Sequence, residues 1–358
     1  MKALVFNGPR DIRYEHFDDP SVTKDRNLII AVEKCSICGS DLHMYHGDRM
    51  GPFDYSRPMD RFCTGHEAIG EVVEIGKAIV SHKVGDRILV AGGAGCGNCK
   101  RCLRGEFNLC ENIIHGKGSL AFGISPYLNG GHAEFLEVPY ADIGAARIPD
   151  GVTDEQALLL TDALSTGYYG VKMCGVKPGD RVAVIGQGPV GIMAAEAAMA
   201  VGASCVYGID KEESRRNLIT RFGGVPLSPE YASDQIMSDT SGLGVDAVIE
   251  AVGIGETLKQ GVELLRWGGS MSILGILQEG NELPLQAVQG KSLRIHAGIA
   301  GVGDLWDELI PLIQGGRIKG DGVFTHTFSL ADGAEAFRMF NAREDGVIMT
   351  MLTPLVPR

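Results

Sequence analysis

The stretch Arg181–Asp210, RVAVIGQGPVGIMAAEAAMAVGASCVYGID, decides the fold. Val182–Ile185 is a short apolar run of the kind buried in a parallel sheet. It runs directly into Gly186, Gly188 and Gly191, spaced G-x-G-x-x-G. An alanine-rich helical pattern follows from about Val190 to Val201, and a second apolar run, Cys205–Ile209, ends in Asp210. The glycine spacing alone is weak evidence, because a glycine-rich turn in an ordinary α/β domain shares it. Strand, glycine turn, helix, second strand and an acidic residue about 20 positions on together make a dinucleotide-binding fingerprint. Gly186 permits the tight turn, Gly188 leaves no side chain between backbone and pyrophosphate, and Gly191 lets helix and strand pack closely. Pro189 and Val190 open the helix, whose N-terminus offers N–H groups and positive dipole to phosphates. Asp210 is expected to accept hydrogen bonds from the adenosine ribose and to repel a 2′-phosphate. Lys211-Glu212-Glu213 follows it without a phosphate pocket, so the expected cofactor is NAD rather than NADP.

The alternation of strand and helix continues beyond Asp210. Pro226–Leu227, Asp246–Ala251, Gly269–Leu274 and Leu293–Ala297 read as further strands with helical segments between them. Six strands make two mononucleotide halves, the doubly wound α/β arrangement. Past Gly301 the pattern changes to an amphipathic helix, a strand FTHTF and a helix LADGAEAFRMF. These are too few elements for a separate domain, so the tail is expected to pack back on the N-terminal part.

The bulk composition excludes several classes. The chain has 358 residues, enough for two domains, and a net charge of −12. That charge argues against a nucleic-acid binder and against anionic membrane surfaces. No apolar run approaches the ~20 residues that span a bilayer, and the start MKALVFNGPRDIRYE lacks a signal-peptide core. A cytoplasmic location is expected. The nine cysteines are clustered, which in a reducing compartment favours metal over disulfides.

Cys96, Cys99, Cys102 and Cys110 are spaced C-x2-C-x2-C-x7-C. Four thiolates this close can close a tetrahedral shell around zinc with no open position. An iron–sulfur cluster is the competing reading, since short cysteine spacings serve both. Gly95 and Gly97 let the loop wrap an ion, and Lys100, Arg101 and Arg104 offset thiolate charge.

The N-terminal half reads as strands, Met1–Phe6, Leu28–Val32, Ile69–Ile75, Val84–Val90 and Ala133–Val138. Cys35 and Cys38 form a C-x-x-C, but no second pair sits at a matching distance for a shared metal and no thioredoxin-like βαβ unit precedes it for a redox role. Ser40, Asp41 and His43 make a dense polar cluster beyond Cys38. Residues 44–62 and 111–131 read as loops that could line a substrate pocket. His66 and Glu67 open a strand; a histidine taken alone is more often a satisfied core residue than a ligand. Asp162 sits in the apolar stretch LLLTDALSTGYYGV, where a charge is costly without a partner. A metal would supply that partner, and an ordinary helix cap is the plainer alternative.

Taken together, these motifs resemble the zinc-dependent alcohol dehydrogenases of the medium-chain dehydrogenase/reductase superfamily. The resemblance rests on Cys38 with Ser40-Asp41-x-His43, on GHEAIGEVVEIG at 65–76, on Gly85-Asp86-Arg87, on the four-cysteine lobe and on GQGPVG, in the right order along the whole chain. It implies a GroES-like, β-rich catalytic domain over 1–155 and 299–358, with the zinc lobe at 92–112, and a Rossmann domain over 156–298. It implies a catalytic zinc on Cys38, His66 and Asp162. The third ligand is more often cysteine in the family, and aspartate resembles the variant in bacterial secondary-alcohol dehydrogenases. Glu67 matches the glutamate that can transiently join the metal. Three ligands leave one open position, while the four-cysteine shell has none and is structural, giving two zinc ions per chain. In the implied mechanism an alcohol binds the open position and loses its proton to Ser40. A relay then runs through the cofactor ribose to His43, and hydride passes to the nicotinamide. Thr166, Val252, Leu274, Ile276, Ile299 and Ala300 match cofactor-contacting positions, for which plain strand packing is the alternative. The implied substrate is a secondary or cyclic alcohol or its ketone, and the implied assembly a homotetramer or dimer. A polyol or amino-alcohol dehydrogenase, a zinc-independent quinone or enoyl reductase and a non-enzymatic zinc-binding protein are the competing readings.

Overall fold

The computed structural model describes residues 1–104, 106–114, 121–278 and 280–354. The loop expected at 111–131 therefore lies partly, at 115–120, outside the described residues. Contacts divide the chain into two units: Met1–Ser165 with Gly301–Gln314 and Phe324–Arg358, and Thr166–Ala300 with Gly315–Val323.

The first unit is organised on the strand Leu28–Ile37. It pairs antiparallel with Glu67–Ile75, with Phe135–Val138 and with Met349–Thr353. The sheet runs Ala145–Arg147, Arg87–Val90, Glu67–Ile75, Leu28–Ile37, Met349–Thr353, Phe324–Ser329. Leu28, Ile30 and Val32 alternate onto one face and pack with Phe6, Phe62, Tyr55 and Phe337 in a single core. Ile29 on the other face is also buried, as expected for a strand covered on both sides. A smaller sheet of Asp11–His16, Lys2–Gly8 and Phe62–Cys63 closes the other side of that core.

The second unit is a six-stranded parallel sheet in the order Val225–Leu227, Cys205–Ile209, Arg181–Ile185, Val245–Glu250, Leu265–Ile273, Arg294–Ala297. Numbered along the chain this is 3-2-1-4-5-6, the doubly wound order expected from the sequence. The order reverses between Arg181–Ile185 and Val245–Glu250, where open α/β sheets bind their ligands. The helix Pro189–Ala200 is buried on nearly every face, which its alanines allow: Ala194, Ala195, Ala197 and Ala198 are fully enclosed.

Several details depart from the expectations. The first unit extends through Ser165 rather than 155, because helix Asp154–Thr161 packs on the strands Glu67–Ile75 and Arg87–Val90. Residues 299 and 300 belong to the second unit, as does the segment Gly315–Val323. The stretch 44–62 is not all loop: Gly39–His46 is a helix, and Arg49–Met50 pairs with Phe53–Asp54 in a short hairpin. The terminal strand Met349–Thr353 is not among the strands expected, although it overlaps the short apolar run VIMTML, and its place between Leu28–Ile37 and Phe324–Ser329 is set by long-range pairing. Among the described residues no helix is long and apolar enough to cross a membrane.

Candidate active site and metal centres

Cys38 stands where the strand Leu28–Ile37 passes into the helix Gly39–His46. Its backbone N–H donates to Asp41 Oδ2 at 2.9 Å, so the aspartate one turn into the helix fixes the junction. The neighbouring strand carries Glu67 at its first residue, directly across from Ser36. His66 is therefore brought beside Cys38 by sheet register. The turn before it needs glycine: Gly65 has φ +92°, and a Cβ there would lie 2.3 Å from the ring of His132. Asp162 arrives from elsewhere, in the break between helices Asp154–Thr161 and Ala163–Cys174. The first of these helices is started by Thr153 and Gln156 capping each other, at 3.2 and 3.0 Å.

These elements bring Cys38, His66, Glu67 and Asp162 together, with one donor atom from each within 4.8 Å of all the others. Asp162 Oδ2 lies 3.1 Å from His66 Nε2 and 3.4 Å from Cys38 Sγ. Ser40 Oγ lies 3.2 Å from the same His66 nitrogen. The other ring nitrogen, Nδ1, faces Asp41 Oδ1 at 3.2 Å, within ion-pair range but without hydrogen-bond geometry. Glu67 accepts from the Ser36 hydroxyl through Oε2, while its Oε1 is buried without a partner.

Burial and the crowding of acidic groups set the electrostatics of the site. Burial pushes the Cys38 thiol up to about 12, and the charge of Asp162 adds to the shift. Burial, again followed by Asp162, holds the Glu67 carboxyl well above its usual range. Burial opposes protonation of His66, but Asp41 and Asp162 outweigh it and raise the imidazole. A thiol and a glutamate carboxyl that both resist ionising beside the Asp162 carboxylate, the glutamate with an orphaned oxygen, fit a divalent cation. The mixed sulfur, imidazole and carboxylate set suits zinc. Cys35 does not join the cluster; its thiol lies 3.7 Å from the Leu352 carbonyl.

Asp41 and Asp48 are functional candidates that the sequence marks only as polar. Asp41 is fully buried behind His66. Asp48 Oδ2 lies 2.9 Å from Nδ1 of His43, which is half-buried. Neither role has a local signal, since each depends on where a short helix turns.

Cys96, Cys99, Cys102 and Cys110 form the second cluster, with Sγ atoms within 4.8 Å of one another. Backbone N–H groups point at the sulfurs, from Cys96 to Cys110 Sγ and from Cys102 to Cys99 Sγ, both at 3.4 Å. The Cys102 N–H is the chief reason the Cys99 thiol drops to about 6. Burial raises Cys102 to about 12. Gly95 leaves room for the sulfurs, because a Cβ would come within a tight 3.2 Å of Cys102 Sγ and 3.1 Å of Phe107. Four cysteine sulfurs this close fit a closed tetrahedral ion.

In the second unit Gly186 has φ +91°, and a Cβ on Gly191 would lie 1.7 Å from the Gly186 carbonyl. Around Gly188 nothing lies within 4 Å of a Cβ position, so the backbone there is open to a ligand. Gly188 caps the helix, with Pro189 and Val190 in its first turn. Asp210 is held by the N–H groups of Gln187 at 2.7 Å and Glu212 at 2.8 Å, which fix the carboxylate beside the glycine turn. Val252, Ile254, Leu277 and Ile299 expose apolar side chains beyond the carboxyl ends of the central strands. Leu274 is buried, and Ile276, Ala300 and Thr166 are half-buried.

Known proteins resemble this chain along its whole length. Residues 24–150 match the alcohol dehydrogenase GroES-like domain, and residues 189–315 match the zinc-binding dehydrogenase domain. A probable zinc-binding alcohol dehydrogenase of Mycobacterium tuberculosis is 35% identical over 99% of this chain and 89% of its own. The alcohol dehydrogenase of Thermus sp. ATN1 superposes with a TM-score of 0.90 at 31% identity, covering 99% of this chain and 100% of that one. The 2R,3R-butanediol dehydrogenase of Bacillus subtilis superposes with a TM-score of 0.83 at 28% identity, covering 99% of each chain. The chain belongs to the zinc-type alcohol dehydrogenases of the medium-chain dehydrogenase/reductase superfamily. It is a zinc-dependent alcohol or polyol dehydrogenase, and a Sinorhizobium meliloti protein that it resembles at 28% identity is bound to NADP.

Proposed function

We propose that this protein oxidises a secondary or cyclic alcohol with NAD, using a catalytic zinc on Cys38, His66 and Asp162 and a structural zinc on the four cysteines. The observation that carries the reading is the convergence of Cys38, His66, Glu67 and Asp162 on one buried point. A diol or other polyol is the second reading, favoured by the likeness to the butanediol enzyme. When bound, zinc would supply Lewis acidity that lowers the pKa of an alcohol, and the nicotinamide ring would supply a hydride acceptor.

The chain's own residues do the rest. Cys38, His66 and Asp162 would hold the ion with a net ligand charge of about −2, matching the divalent cation. Glu67 stands by with its unpartnered Oε1. Ser40 holds its hydroxyl on the ligand side of His66 and takes the alcohol's proton. Asp48 engages Nδ1 of His43, which assigns Nε2 to passing that proton outward. Gly186, Gly188 and Gly191 admit the pyrophosphate, and Asp210 selects NAD by repelling a 2′-phosphate. A cytoplasmic homotetramer or dimer is part of the same reading.

Zinc analysis after dialysis, with kcat/KM for primary, secondary, cyclic and polyol alcohols on NAD and NADP, tests the proposal. Two zincs per chain and a preference for NAD are expected. One zinc, or equal use of NADP, overturns the corresponding part. Gel filtration showing a monomer removes the assembly.

A further inference from the structure

Glu250 closes the strand Val245–Glu250 and is completely buried, paired across the ladder with Ile185 on one side and Ile273 on the other. Its Oε1 accepts three hydrogen bonds, from the N–H of Val252 at 2.9 Å, the N–H of Gly253 at 2.8 Å and the Thr257 hydroxyl at 2.7 Å. Its Oε2 is buried without a partner among the described residues. Its backbone carbonyl accepts from Leu274 at 2.8 Å and Gly275 at 3.2 Å. Asn281 holds the same turn from the far side: Oδ1 accepts from Gly255 at 2.7 Å, and Nδ2 donates to Gly253 O at 3.2 Å and Gln278 O at 3.0 Å.

The two turns touch backbone to backbone. A Cβ on Gly253 would lie 2.5 Å from the Ile276 carbonyl, and one on Gly275 would lie 2.1 Å from the Gly253 nitrogen. Gly253 also has φ +87°, a conformation glycine adopts without strain. Beyond this contact stand the exposed apolar side chains of Val252, Ile254 and Leu277. The carboxyl ends of these strands lie beside the glycine turn, because Ala251 N–H bonds the Ile185 carbonyl at 2.8 Å.

We propose that Glu250 and Asn281 form a clamp that positions the Val252–Gly255 turn against Leu274–Ile276 for cofactor binding. Both are positioning residues: they hold the rim and do not touch the reacting atoms. The clamp rests on the reading of that rim as part of the cofactor site. A buried acceptor that serves three donors is expensive to remove, because all three donors lose their partner at once. Burial also raises the Glu250 carboxyl above its usual range, so a neutral amide of the same shape is the natural conservative replacement.

The test titrates NADH into the zinc-loaded enzyme, following nicotinamide fluorescence, with circular dichroism and Tm to confirm folding. Glu250→Ala and Asn281→Ala are expected to raise the NADH Kd and the KM for NAD about tenfold, with kcat at saturating cofactor within about threefold of wild type. Glu250→Gln keeps the Oε1 acceptor and should restore the Kd to within about threefold of wild type. If Glu250→Ala does not fold, Asn281→Ala and Thr257→Val decide, each expected to weaken NADH by at least about threefold. Folded variants that bind NADH like wild type overturn the clamp while leaving the cofactor site standing. Wild-type enzyme that binds neither NADH nor NADPH overturns the cofactor site and the clamp with it.

Discussion

Asp41 Oδ1 lies 3.2 Å from Nδ1 of His66, on the side of the ring away from the metal-ligand cluster. The carboxylate is fully buried and is itself tied to the Cys38 N–H. One residue thus orients two ligand candidates: the imidazole by its back nitrogen and the thiol by its backbone. Carboxylates behind a metal-bound histidine fix its tautomer and raise its basicity.

Asp41→Asn keeps the shape and removes the charge. It is expected to weaken zinc retention or turnover about 10- to 100-fold. Competition with a chelator measures the first, and kcat at saturating zinc the second. Wild-type values for both would reduce Asp41 to a packing residue.

Asp162 separates a ligand from a helix cap. A cap replaced by alanine costs about 1 kcal/mol and spares the metal. With its carboxylate 3.1 Å from His66 Nε2 and 3.4 Å from Cys38 Sγ, loss of Asp162 should release one zinc. Turnover should fall more than the roughly hundredfold typical of a lost outer-shell partner. Asp162→Cys restores a donor of equal charge and should rebind zinc. Its activity should return only in part, because sulfur sits about 2.3 Å from zinc and oxygen about 2.0–2.2 Å. Two zincs and near-normal rates in Asp162→Ala would dismantle the catalytic centre proposed here.

The four-cysteine lobe should govern stability rather than chemistry. Cys99→Ser removes a thiol that its surroundings lower to about 6. Zinc content should fall by one ion per chain, with a lower Tm. Metal analysis alongside calorimetry reads both. Full zinc content would contradict the assignment.

The start of helix Asp154–Thr161 should make stability depend on acid. Burial would raise the Asp154 carboxyl, but Arg87 at 2.8 Å and Lys34 at 3.2 Å outweigh it and hold it below 3.8. A depressed acid contributes stability that is present above its unfolded value and is lost as pH falls through its folded value. The gap in unfolding free energy between wild type and Asp154→Asn should be constant at neutral pH and close below 3.8. Urea melts across the acid range measure it; a gap that persists unchanged into strong acid would show that the ion pairs contribute nothing.

The parts of this protein legible in its sequence are those whose chemistry is local. Gly186, Gly188 and Gly191 belong to one turn, and Cys96, Cys99, Cys102 and Cys110 to one loop, so backbone conformation alone gathers them. The parallel strands are legible for a similar reason, because burial on both faces writes a continuous apolar run into each. Cys38, His66 and Asp162 became a set only through likeness to a known family, since no spacing joins residues that far apart.

Tertiary structure decided the rest. The pairing of Ser36 with Glu67 sets Cys38 beside His66, and a one-residue slip would send the side chains to the opposite face. The backing of His66 by Asp41, of His43 by Asp48 and of the Val252–Gly255 turn by Glu250 and Asn281 left no trace in composition or periodicity. Each is a single polar side chain satisfying a partner that only the folded chain brings near. Hydrophobic patterning specifies which face of an element is buried; a lone buried hydrogen bond is specified by position in space, and sequence alone does not supply that position.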